Sequence, residues 1–65
     1  MRIDKNKMLV AMARAKLNRS DLAEKAGLTV PIVANTLNRG TCKPATAGNI
    51  AEALGVDVTE ILADN

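Results

Sequence analysis

Apolar residues return every three or four positions at the start of the chain: Met8, Met12 and Ala15 share one side of a segment that opens at Asp4, while Lys5, Lys7, Arg14 and Lys16 fall elsewhere. That period predicts an amphipathic helix from Asp4, its N-cap, to about Lys16. The two methionines read as flexible core filler rather than as ligands of a metal or cofactor. In "RSDLAEKA" the stripe narrows to Leu22, Ala23 and Ala26, which predicts a short second helix. Asn18 offers a side-chain oxygen as its cap, and Asp21 suits the positive end of its dipole. Small Ala23 lets a neighbouring helix come close. Gly27 supplies the positive φ of a sharp exit, with Leu28 turning inward behind it.

Thr29 is a natural cap for a third helix, and Pro31 sits in its first turn, where a missing N–H costs little. Pro31 also disfavours helical dihedrals at Val30, so the start is soft by a residue. Ile32, Val33, Thr36 and Leu37 are the expected inward set, with Val30, Pro31, Ala34 and Asn35 leading on the other side. Arg39 and Gly40 close this helix. Pro44 opens a fourth, in which Ala47, Ile50, Ala51 and Leu54 recur at i, i+3, i+4 and i+7 until Gly55. "DVTE", Asp57 to Glu60, has the form of a capping box, and Val58, Ile61 and Leu62 give a brief fifth helix something to bury. The expectation is an all-α, five-helix domain spanning 1–65, without strand signals, internal repeats or low-complexity segments.

Composition restricts what such a domain does. With 65 residues there is room for one small core, and 48% hydrophobic residues with 25% charged ones exclude a disordered chain. No uncharged apolar run approaches the roughly 20 residues that span a bilayer. The basic, amphipathic start invites a transit-peptide or membrane-surface reading, but Asp4 and the continuation of the helical pattern into the domain favour a folded element; a cytoplasmic location is expected. One cysteine, Cys42, and no histidine leave neither an internal disulfide nor a Cys/His metal site, so no metal and no cofactor is expected. The commonest general base is missing, and the seven acids are scattered along helix starts and exposed faces, so an enzyme is not expected. No aromatic residue exists to stack on an unpaired base, which removes the usual apparatus for single-stranded nucleic acid. Duplex DNA remains, because reading it requires basic groups and a helix of the right shape.

A short helix, a turn containing glycine and a second helix is the helix-turn-helix pattern, whose later helix enters the major groove. The stretches "LNRSDLAEKAGLTVPIVANTLNRG" and "KPATAGNIAEALGVDVTEIL" resemble the lambda-repressor-like domains of the Cro/C1 or XRE family over nearly the whole chain, with Leu22, Ala23, Gly27, Leu28 and Val33 at framework positions. The resemblance implies a bacterial or phage transcriptional regulator, associated with the nucleoid, that binds operator DNA as a homodimer, with repression favoured over activation because no second functional domain is expected. It places Val30, Pro31, Ala34 and Asn35 against bases from a reading helix around 30–38. Asn18, Arg19, Ser20, Thr29, Asn38, Arg39, Thr41 and Lys43 fall to phosphates. Elementary chemistry agrees at Arg19, since free amides at a helix N-terminus attract anions.

Two departures from the family pattern stand out. The reading face lacks the usual Gln, Arg and Ser, which leaves Asn35 as its one residue able to grip an adenine edge with two hydrogen bonds. Val30, Pro31 and Ala34 suit thymine methyls, so a modest, A/T-leaning preference is expected. Where many relatives pair an Arg on the first helix with a Glu near the end of the third, this chain has Met12 and Leu37, which avoids desolvating two charges. A net charge of +2 is too small to drive DNA binding in bulk, so the basic groups must share a face. Two rival readings compete: a protein-interaction module of antitoxin or adaptor type that uses the apolar third-helix face, and an architectural or recombination accessory protein with little sequence preference.

Overall fold

The computed structural model describes residues 1–64 and contains four α-helices, α1 (Lys5–Ala15), α2 (Arg19–Ala26), α3 (Val30–Arg39) and α4 (Pro44–Leu54), followed by a 3-10 turn at Val58–Glu60. Three of the four helices start at a side-chain cap. Asp4 accepts from the Lys7 amide at 3.0 Å, Asn18 from Asp21 at 2.7 Å and Thr29 from Ile32 at 3.4 Å. Helix α4 has Lys43 at its N-cap and no side-chain bond there; Pro44 opens it with a φ already suited to a helix.

All four helices exit through a left-handed residue, which is glycine in three of them. At Gly27 (φ 70°) the Leu28 amide donates to the Ala23 carbonyl at 2.8 Å and the Gly27 amide to Glu24 at 3.3 Å, and Leu28 folds back onto the core. This pair of bonds satisfies carbonyls that the end of α2 would otherwise leave open. The end of α1 has the same pair of bonds, but its left-handed residue is Lys16 (φ 58°), an L-residue in a region that favours glycine.

One core joins the helices: Met8, Ala11 and Met12 from α1, Leu22 and Ala23 from α2, Val33 and Leu37 from α3, and Ala47, Ile50, Ala51, Ala53 and Leu54 from α4, with Ile3 and Ile61. Helix α2 packs chiefly on α4 and α3, and Ala23, nearly inaccessible, is the small contact that the spacing predicted. Met12 and Leu37 are both buried, so an apolar pair does occupy the interior where charges would have needed partners. Thr36, the one buried polar residue among those described, donates its hydroxyl to the Ile32 carbonyl at 2.9 Å.

Two expectations need correction. The fifth helix is only the 3-10 turn at Val58–Glu60, although the capping box at Asp57 and Glu60 is present. Its next turn cannot form because the backbone of residues 61–63 is engaged elsewhere: the Asp4 amide donates to the Ile61 carbonyl at 2.9 Å, and the Ala63 amide to the Arg2 carbonyl at 3.1 Å. On its other side the same N-terminal segment pairs with the chain after α3, the Ile3 amide donating to the Gly40 carbonyl at 2.8 Å and the Cys42 amide to Met1 at 3.0 Å. These antiparallel bridges, Arg2 with Thr41 and Ile3 with Leu62, are extended pairing that the helical period did not announce. The second correction is Ile32, expected inside and found 41% exposed.

Backbone geometry orders three substitutions. Replacing Gly27 by Ala introduces left-handed strain of about 1 kcal/mol and meets nothing within 4 Å, whereas a Cβ at Gly40 would also stand 3.3 Å from the Ile3 carbonyl oxygen. Urea melts should therefore place Gly40→Ala below Gly27→Ala in stability. Lys16→Gly should gain up to about 1 kcal/mol by relieving the same strain.

Candidate nucleic-acid interface

Helix α3 leaves the α2 corner through Gly27, Leu28 and Thr29 and buries Val33, Thr36 and Leu37. Those three define the inner side, and at about 100° per residue the face directly opposite is led by Pro31, Asn35 and Asn38, all exposed. The flanks differ. Val30 and half-buried Ala34 occupy one edge, while Ile32 and Arg39, seven residues apart and so nearly in line, occupy the other.

The Ile32 flank borders an open groove. Its walls are Ile32, Asn35, Thr36 and Arg39 from α3, Thr41, Cys42 and Lys43 from the connecting loop, and Thr46 from the first turn of α4. The loop is held there by the N-terminal pairing, which positions Thr41 and Lys43 beside α3. Of the residues expected to meet DNA, the groove thus gathers Asn35, Arg39, Thr41 and Lys43. Asn18, Arg19 and Ser20 lie apart from it, at the exposed entry to α2, and Thr29, Val30, Pro31 and Asn38 are exposed on α3 or at its start.

Hydrogen bonding within the fold leaves these groups their donors. Asn18 and Thr29 spend side-chain oxygen lone pairs as caps, and the Asn18 amide N–H groups and the Thr29 hydroxyl proton remain for an external acceptor. A phosphate oxygen is such an acceptor. Cys42, half-buried in the groove wall, has its thiol pushed up from the ordinary value by burial, an effect that the nearby Met1 ammonium partly offsets. It is a poor nucleophile near neutral pH. Among the described residues no group of three or more His, Cys, Asp or Glu is placed to hold a metal ion, and no helix is long and apolar enough to cross a membrane.

The residues that the period misplaced or passed over are Ile32 and Thr46. Ile32 was drawn inward by its hydrophobicity alone, yet Val33, Thr36 and Leu37 already fill the i, i+3, i+4 stripe, and its in-line partner is the charged Arg39. Thr46 belongs to the groove only because the loop brings the first turn of α4 beside it, which has no local signature.

Similarity to known proteins bears on the same region. A model of the Cro/C1-type HTH DNA-binding domain matches residues 7–65. Among solved structures, a mutant of hydroxyethylphosphonate dioxygenase superposes with a TM-score of 0.85 at 34% identity, covering 98% of this chain and 14% of that one. Native PhpD with cadmium atoms and PhpD with cadmium and hydroethylphosphonate each give 0.84, with the same identity and coverage. The chain therefore spans about one seventh of the length of those proteins. No curated protein matches it.

The state of the Cys42 thiol gives a test of the groove wall. Because burial raises its pKa, its alkylation rate by a neutral reagent should climb at higher pH in the folded chain than in urea. Coincident profiles would place the thiol in open solvent.

Proposed function

We propose that this chain, which belongs to the family of Cro/C1-type HTH DNA-binding domains, binds duplex DNA sequence-specifically through the major groove and regulates transcription. The observation that carries the reading is the outer side of α3, where exposed Asn35 shares one groove with the cationic or hydroxyl groups of Arg39, Thr41 and Lys43. Asn35 suits an adenine edge, and the cations and hydroxyls beside it suit the phosphates along one wall of the groove. Arg19 and Ser20, with the open amides of α2, suit a phosphate further along. Asn18, Thr29 and Asn38 complete the backbone set, with Val30, Pro31 and Ala34 at the bases.

Action as a repressor is the simpler mechanism, since occupancy alone blocks access to an operator, whereas activation also needs a surface for polymerase. A monomer of this size makes few contacts, so a homodimer on two half-sites one helical turn apart is the expected form on DNA. Such a regulator works in the cytoplasm on the nucleoid. We read the chain as non-catalytic because it lacks histidine and its acids are dispersed. The dioxygenase activity named for the similar structures is said of chains of which this one spans 14%. Exposure of Val30 (43%) and Ile32 (41%), on the two flanks of outer α3, favours as second reading a protein partner over this half of the helix.

Selection from a random duplex library at low and near-physiological salt separates the readings. Two related half-sites about one turn apart are expected. Retention without a motif would point to an architectural role, and no retention even at low salt to a protein partner. On the recovered duplex, Asn35→Ala should relax preference at one position per half-site, a loss of roughly 1 to 3 kcal/mol of discrimination. Arg19→Ala or Lys43→Ala should weaken binding to all sequences alike and flatten the salt slope; a loss confined to some sequences would remove them from the phosphate set.

A further inference from the structure

Ile32 is the most anomalous side chain on the outer half of α3. It is a branched aliphatic, 41% exposed, on a groove that also carries the hydrogen-bonding or cationic groups of Asn35, Arg39, Thr41, Lys43 and Thr46, with Cys42 beside them. Its backbone carbonyl is tied to Thr36, so the turn that carries it is held from within. A ligand that suits this arrangement has a small apolar group with hydrogen-bond acceptors close by. The outer edge of an A·T base pair has that form: the thymine C5-methyl lies beside its O4 acceptor, and the adenine N7 and N6 follow along the same edge. Asn35, three residues on and on the same side of the helix, has the donor and acceptor that adenine requires.

We propose that Ile32 is a specificity-determining residue that reads a thymine 5-methyl group, with Asn35 on adenine at the same or the adjacent base pair. The assignment rests on the DNA-binding reading above and deepens it. Apolar readout thereby extends beyond Val30, Pro31 and half-buried Ala34 to the opposite flank, which opens onto the groove. Ile32 makes no polar contact with its side chain, so its contribution is contact with the methyl group and exclusion of water from the adjoining hydrogen bonds.

The test removes one methyl group from the DNA. Each thymine of the selected duplex is replaced in turn by uracil, and affinity is read by fluorescence anisotropy for the wild type, Ile32→Val, Ile32→Ala and, as a control on exposed apolar surface elsewhere, Leu9→Ala. The wild type should lose about threefold to tenfold at one thymine per half-site. Ile32→Ala should bind the thymine duplex correspondingly less well and lose nothing more at that uracil, with Ile32→Val between and Leu9→Ala like the wild type. Thermal melts of the free proteins verify that each variant is folded. Binding with a motif but without any uracil-sensitive position, or full uracil sensitivity in folded Ile32→Ala, overturns the role of Ile32 and leaves the DNA-binding reading standing. No retention of any duplex by the wild type overturns both.

Discussion

The extended segment at residues 1–4 is the constraint on which the arrangement depends. It pairs on one side with Gly40 to Cys42, directly after α3, and on the other with residues 61–63, and Ile3 between them is buried in the core. Short backbone pairings of this kind satisfy polar groups that would otherwise be stranded beside an apolar interior. They also set where the loop after α3 can run, and hence where Thr41 and Lys43 stand relative to Asn35. The close approach of the Gly40 carbonyl to the Ile3 amide belongs to the same junction, and so does the truncation of the last helix to a single 3-10 turn.

Around that junction the helices are specified locally and assembled through small contacts. Side-chain caps start α1, α2 and α3, left-handed exits stop all four helices, and the core is built from aliphatic, alanine and methionine side chains. Alanines on α2 and α4 allow these helices to lie close, and α2 in turn supports α3. The outer face of α3 is thereby relieved of any structural duty. Burial is complete through Val33, Thr36 and Leu37, so exposed apolar residues at Val30, Pro31 and Ile32 are left over from folding.

Much of this was legible in the residues because helix boundaries are local chemistry. Asp4, Asn18 and Thr29 act as caps, Gly27, Gly40 and Gly55 as exits, and Ala47, Ile50, Ala51 and Leu54 as a buried stripe, each where spacing placed it. Asn35 was likewise readable as an exposed polar residue at the front of α3. The N-terminal pairing was not, because two or three extended residues carry no period and their partners lie about 40 and 60 positions away. Lys16 escaped notice as a left-handed exit because its side chain argues against that role. Ile32 illustrates a different limit: hydrophobicity marks a side chain that avoids water and does not say whether core or ligand will cover it.

The leading turn of α3 has a further consequence through its stiffness. Val30 and Ile32 are β-branched, and Pro31 is a closed ring, so this turn holds few rotamers to lose. Long polar side chains at such positions would surrender appreciable conformational entropy whenever a surface immobilised them. Under the DNA-binding reading, this turn would meet its counterpart already in shape and with little freedom to adjust to a poor fit, so steric match would add to the hydrogen bonds of Asn35 in discriminating sequence.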